Sequence, residues 1–266
     1  QNKSNLSTII RQAESNPIIQ ASISLREGLN WDWCREKIFD QSGILPVSWQ
    51  YAPDIMKDIF TSQEFKKDND LCRYLTYTNQ RAIAVNKQVR RWLYGETQTP
   101  FVINEPVITR KPIMTTGEKV AHSVNDEIVV ADITRAADHV VNLPKRTGAT
   151  TLEEETHSLK VWEITFTSGV KCLYPADPAQ YNALSIRVES QARVNAKRWF
   201  DWHTQINDPI ADLRHVYAMT IHSSQGSTFD HVFIDVPDCK RFAKSEPDTL
   251  RKLLYVAVMA VVTDLM

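Results

Sequence analysis

The sequence predicts an α/β protein with a β-rich block set between two α/β stretches. Three observations carry this. Residues 71–77 are a mostly apolar run, followed by Thr78-Asn79 and a helix-periodic stretch over 82–94, which reads as a strand–turn–helix unit. Residues 216–220 and 230–236 repeat the short-strand pattern toward the C-terminal end. Between them, from Phe101 to about Ala183, short β-rich runs alternate with turn signals.

The elements follow in order. Ser7 to Glu14 has capping residues ahead of an apolar-periodic run, and Pro17 opens a helix over Ile18–Arg26 that Gly28 stops. Ala52–Lys67 predicts one helix, with Ile55, Ile59 and Phe60 in step. After the strand at 71–77, Ile83, Val85, Val89 and Trp92 give the next helix its apolar side. In the middle block, strands are expected at Pro106–Thr109, Lys119–Ala121, Glu127–Val130, Val161–Phe166 and Val170–Tyr174, with a hairpin turn at Thr167-Ser168-Gly169. The acidic stretch Leu152–Thr156 reads as a loop. Ser185–Thr204 and Asp248–Val262 are expected to be helical. Trp199, Trp202 and His203 form either a base-stacking stripe or, the favoured reading, a core face. Lys87, Arg90 and Arg91 form either a phosphate-facing or a solvated helix face.

Composition removes several classes. The 266 residues are 42% apolar, too many for a disordered chain. The longest apolar stretch, near Leu253 to Val262, falls short of the roughly 18 residues a membrane span needs. Polar residues after Gln1 predict no signal peptide. With 31 basic and 32 acidic residues, net charge neither indicates nor excludes a nucleic-acid partner. Cys34, Cys72, Cys172 and Cys239 are scattered, so reduced thiols in a cytoplasmic protein are expected rather than a disulfide frame or a metal site. The chain begins without Met and stops inside an apolar run, and is expected to be a piece of a longer protein.

Chemistry concentrates at Val216–Val236. A strand there ends in Thr220-Ile221-His222-Ser223-Ser224-Gln225-Gly226-Ser227. Hydroxyls, an amide, an imidazole and open backbone N–H groups at a strand's carboxyl end suit phosphate oxygens. On composition alone the same run is also an ordinary strand followed by a Ser/Gly-rich turn. The segment resembles motif V of superfamily 1 helicases, most of all the RecD-like and Dda-like branch, with Ser223 in place of a usual Lys. Further segments resemble the same family in the expected order. Leu6–Ile18 resembles motif IV, Tyr74–Arg90 the strand–Thr-Asn–helix segment that follows it, and Leu254-Tyr255-Val256-Ala257-Val258 the start of motif VI. Taken alone, Thr78 or Asn79 is also a helix N-cap and Arg11 a surface arginine.

The resemblance implies a fold, a site and partners. The fold is a RecA-like motor domain of P-loop NTPase type, without its own P-loop, carrying an inserted SH3-like β-barrel. Its boundaries would be 1–105 and 185–266 for the motor domain and 106–184 for the barrel. Arg11 would be the catalytic arginine at the γ-phosphate of ATP, with Gln12, Gln225 and Gly226 also on the nucleotide. Thr76, Thr78, Asn79, Thr220, His222 and Ser224 would hold single-stranded DNA, and Asn86 would brace the turn. ATP and Mg²⁺ would be held mostly by a preceding N-terminal RecA-like domain, and the intact enzyme would be a 5′→3′ DNA helicase. No metal ligands are expected in this chain. Met259, Ala260 and Val261 depart from motif VI, and Ala260 stands where the family has its second arginine finger. A non-catalytic single-strand-binding module or helicase remnant is the alternative.

Overall fold

The computed structural model describes residues 16–29, 35–39, 42–114, 119–146, 152–194, 198–240 and 246–261. The chain divides into two compact units, Gln1–Gly95 with Tyr217–Met266, and Glu96–Val216.

In the first unit, helix α1 (Pro17–Glu27) starts at Asn16, whose side chain accepts the Ile18 N–H, and ends at Gly28. A small hairpin, β1 (Lys37–Phe39) and β2 (Ser42–Ile44), follows. The helix expected over 52–67 is two helices, α2 (Ala52–Thr61) and α3 (Gln63–Lys67). Ser62 breaks the run with an extended backbone and caps the second helix by accepting the Phe65 N–H at 3.0 Å. A 3₁₀ turn leads into β3 (Cys72–Thr76), whose five residues are all buried. Helix α4 (Asn79–Tyr94) follows, N-capped by Thr78.

The second unit holds β4 (Pro106–Thr109), β5 (Ile113–Met114), β6 (Val120–His122), β7 (Glu127–Arg135), β8 (His139–Arg146), β9 (Leu152–Leu159), β10 (Val161–Phe166) and β11 (Lys171–Pro175). Helices α5 (Pro178–Val194) and α6 (Arg198–Asp201), a π-type turn over Trp202–Asn207 and β12 (Leu213–His215) complete it. Its main sheet is antiparallel in the order β11-β10-β7-β4-β12. Gly169, at φ +80, closes the β10–β11 turn with its N–H on the Phe166 carbonyl at 2.8 Å.

Three expectations change here. Among the described residues the sheet does not close into an SH3-like barrel, since β11 and the chain leading into β12 meet only at the Leu173–Ile210 bridge. The stretch over 152–156 is strand, not loop: β9 pairs residue for residue with β8, from His139↔Leu159 to Arg146↔Leu152. The hairpin buries Val141, Leu143 and Leu159 on one face, while Glu155 meets Arg187 at 2.6 Å. Third, the helix beyond residue 184 packs with the β-rich unit rather than returning to the first, because Leu184 and Val188 bury against Val141 and Leu143. Trp202 packs on that same core, as the core reading of the aromatic stripe expects, but Phe200 beside it is 72% exposed.

The chain then re-enters the first unit as β13 (Ala218–Thr220), β14 (His231–Ile234), α7 (Val236–Cys239) and α8 (Pro247–Met259). The sheet order is β13-β3-β14, all parallel. Parallel strands need cover on both faces, which explains the continuous burial of β3. Leu75, Ile221, Phe229, Leu253 and Ala257 fill one core, and α1 lays Ile18, Ala21 and Leu25 on Leu254 and Val258 of α8. Phe60 and Phe65 meet Tyr217 edge-on and tilted, at 6.4 and 6.2 Å.

Candidate nucleic-acid interface

The parallel register decides which residues share an edge. Thr220 lies opposite Thr76, so β13 and β3 end level and deliver their following turns to the same side. Beyond Thr76 the chain runs through Tyr77 and Thr78 into α4, and beyond Thr220 it runs through Ile221–Gly226. The Ile221 N–H donates to the Thr76 carbonyl at 2.8 Å, which ties the two turns together. The Tyr77 and His222 rings meet edge to face, 6.0 Å apart.

The turn after β13 winds tightly. Ser223 and Ser224 N–H groups donate to the Thr220 carbonyl at 2.8 and 3.2 Å, and the Ser227 N–H to the Ser224 carbonyl at 2.9 Å. Gly226 sits at φ +91, a backbone that side-chain-bearing residues rarely adopt, so the glycine is required there. His222, Gln225 and Gly226 are exposed.

The expected contact residues separate into two groups. Asn79 and His222 are exposed at the edge. Thr76 is fully buried, with its hydroxyl 3.0 Å from the Thr78 carbonyl, and Ser224 is 1% exposed with its hydroxyl on the Ile221 carbonyl. The hydroxyls of these two are spent inside the fold, against the expectation that they reach outward. Thr220 is nearly buried, its hydroxyl 2.9 Å from that of Ser223. Thr78 spends its hydroxyl on Asp238 and on the Arg81 N–H. Arg11 and Gln12 lie outside the described residues. Asn86 is buried and braces β13, accepting the Ala218 N–H at 2.8 Å and donating to the Ala218 carbonyl at 2.7 Å.

Two residues at the end of β14 went unread in the sequence. Asp235 and Asp238 are both buried. Asp235 accepts from Arg81 Nε at 2.7 Å, from the Tyr74 hydroxyl at 2.9 Å and from the Asp238 N–H at 3.0 Å. Burial pushes its carboxyl up, but the Arg81 hydrogen bond and the other two donors outweigh it and hold the group below its ordinary value. The same burial, with Asp235 beside it, pushes the Tyr74 hydroxyl up to about 12. The available signal was the Asp-x-x-Asp spacing after a strand, which marks a capped helix start. Burial also pushes the Cys72 and Cys239 thiols up to about 12, so neither is a nucleophile at neutral pH.

Ala260, at the expected arginine position, is 2% exposed in the core with Leu75, Ile221 and Phe229, and its carbonyl accepts the Phe229 N–H at 2.8 Å. Among the described residues, no group of three or more His, Cys, Asp or Glu side chains is placed to hold a metal ion, and no helix is long and apolar enough to cross a membrane.

What the fold and this edge define is a parallel α/β unit that presents short polar groups at the carboxyl ends of adjacent strands, where open α/β sheets take ligands. Residues 215–258, which carry the second of the two turns, match the UvrD-like helicase C-terminal domain. An uncharacterized protein of Acanthamoeba polyphaga mimivirus is 38% identical over 63 residues, which is 23% of this chain and 12% of that one. Among solved structures, the Pif1 helicase from Candida albicans aligns over 92% of this chain and 51% of its own length, at 12% identity and a TM-score of 0.39. A Bacteroides sp Pif1 in complex with ADP-AlF4 aligns over 93% of this chain and 48% of its own, at 11% identity and a TM-score of 0.24. The chain spans about half the length of these helicases and far less of the viral relative.

Proposed function

We propose that this chain is the C-terminal motor portion of an ATP-dependent 5′→3′ DNA helicase of the RecD-like branch, and that the β3–β13 edge grips single-stranded DNA. The observation that carries the reading is the level ending of two parallel strands at Thr76 and Thr220, the second of which lies in the stretch that matches a helicase C-terminal domain. Asn79, Tyr77 and His222 face the strand, with Thr220 behind them. Neutral donors bind phosphate oxygens without reading bases, so sequence preference is weak. Gln225 and Gly226 join this edge to the nucleotide. Both are exposed and uncharged, which fits an amide and an open N–H toward ribose or phosphate oxygens. Charge at the γ-phosphate comes from Arg11, and a preceding RecA-like domain supplies the phosphate loop and the Mg²⁺ ligands. ATP, once bound between the two domains, supplies the closing and opening that moves the strand.

The test is fluorescence anisotropy of a short labelled oligothymidylate against this chain. Binding is expected to weaken as salt rises. His222→Ala and Asn79→Ala should each weaken it several-fold, since one neutral hydrogen bond contributes about 1 kcal/mol. Unchanged affinity in both variants contradicts the assignment. A second reading, a non-catalytic single-strand-binding module or helicase remnant, draws support from the buried Ala260. Strand-stimulated ATP hydrolysis by this chain joined to the domain encoded upstream excludes it, and persistent inactivity with intact strand binding favours it.

A further inference from the structure

The edge has a third wall. Strand β14 lies on the other side of β3, and its following turn and short helix place Asp238 against the β3–α4 turn. Asp238 is 5% exposed. Its Oδ2 accepts the Tyr77 N–H at 2.9 Å and the Thr78 N–H at 2.8 Å. The Thr78 hydroxyl lies 3.1 Å from both carboxylate oxygens.

We propose that Asp238 is a positioning residue for the strand-gripping edge, a carboxylate clamp that fixes the Tyr77–Thr78 turn and so sets where Tyr77 and Asn79 stand relative to His222. The inference rests on the nucleic-acid reading of that edge. Two successive backbone N–H groups converging on one point make an anion-binding concavity. Here the protein's own carboxylate fills it, so an incoming phosphate is turned toward Asn79 and the turn after β13. The clamp is itself braced. Asp235 Oδ1 accepts the Asp238 N–H, while Asp235 Oδ2 holds Arg81 one turn into α4, whose own N–H returns to the Thr78 hydroxyl. These bonds close a ring through both turns. With it intact, the Tyr77 ring is held edge to face on His222. With the carboxylate gone, the turn loses its charged acceptor, and the N-terminal turn of α4 can shift Asn79.

The experiment uses the full chain as wild type, Asp238→Asn, Thr78→Val and the double variant, with the labelled oligothymidylate as probe. Asp238→Asn should weaken strand binding about tenfold, the equivalent of one charge-assisted hydrogen bond. Thr78→Val should weaken it less, and the double variant should match Asp238→Asn, because both changes remove the same clamp. Leu25→Ala, at the α1–α8 contact, is the control for stability alone. It should lower the melting temperature without changing affinity. Additive losses, unchanged affinity in Asp238→Asn, or an equal loss in Leu25→Ala matched for melting temperature overturns the clamp. If Asp238→Asn does not fold, Thr78→Val decides alone, and wild-type affinity in it overturns the proposal. If the wild-type chain binds no strand, the nucleic-acid reading fails by itself. Amide exchange then judges the clamp: slow exchange at Tyr77 and Thr78 that Asp238→Asn accelerates upholds it, and equal rates overturn it.

Discussion

Replacing Asn86 with leucine should cost the first unit about 2–6 kcal/mol. Strand β13 is an edge strand, and the backbone of Ala218 points away from β3 with no neighbouring strand to pair with among the described residues. Asn86, from the buried side of α4, takes the place of that strand with two hydrogen bonds of 2.7 and 2.8 Å. Ala218 is 3% exposed, so water cannot readily replace them. Leucine has nearly the same size and leaves both backbone groups buried and unpaired. Each orphaned group costs about 1–3 kcal/mol. For a unit of this size about 2–4 °C of melting temperature goes with each kcal/mol, which gives a fall of roughly 4–24 °C. The two units need not unfold together, so the readout is amide exchange at Leu75 and Ala218 alongside thermal unfolding. Asn86→Asp should lose at least as much, since it keeps the acceptor for the Ala218 N–H but buries a carboxylate whose other oxygen faces the Ala218 carbonyl. A fall under about 2 °C in Asn86→Leu, or protection at Ala218 equal to wild type, refutes the reasoning.

Three further outcomes are expected. Ala260→Arg should destabilise the first unit by about 3 kcal/mol or more in urea unfolding, since it forces a charge into a site that is 2% exposed; a loss below about 1 kcal/mol contradicts the core assignment. Asp235 titrates below its ordinary value, so its contribution is present above the unfolded carboxylate pKa of about 3.9 and is lost as pH falls through the folded one; Arg81→Gln removes the strongest of the contacts that lower it, so the variant should be less stable at neutral pH and lose less on acidification, and a pH profile parallel to wild type would count against the pair. Burial lowers Lys111 to about 8 beside a cavity of about 280 Å³ in the second unit. The unfolded chain therefore holds more protons from there to about pH 10, and stability should climb across that window in wild type and stay flat in Lys111→Met.

Much of the edge was legible because its signals are local. Thr78 and Asn79 mark a helix start after an apolar strand, and Thr220–Ser227 is a polar run at a strand end. Such patterns need no knowledge of what packs against them. Burial is different. Thr76 and Ser224 look like surface donors in sequence, yet partners at Met219 and Ile221 absorb them, and only the strand register decides that. Asp235 and Asp238 bind residues more than 150 positions away, which no local spacing reveals. The acidic start of β9 hid a strand because pairing with β8, not intrinsic preference, holds it extended. The inserted unit kept its expected β-rich character, but its end moved to Val216 because the helix after residue 184 buries Leu184 and Val188 on the β8–β9 hairpin.

Chemical-shift mapping tests whether the β3–β13 edge holds a nucleic-acid strand. Isotope-labelled chain is titrated with short oligothymidylate, and amide shifts are followed residue by residue. The largest shifts should fall at Tyr77, Asn79, His222, Gln225 and Gly226, α1 and α8 should stay still, and rising salt should reverse the shifts. Shifts confined to the second unit, or absent at both turns while the oligonucleotide is bound, would contradict it.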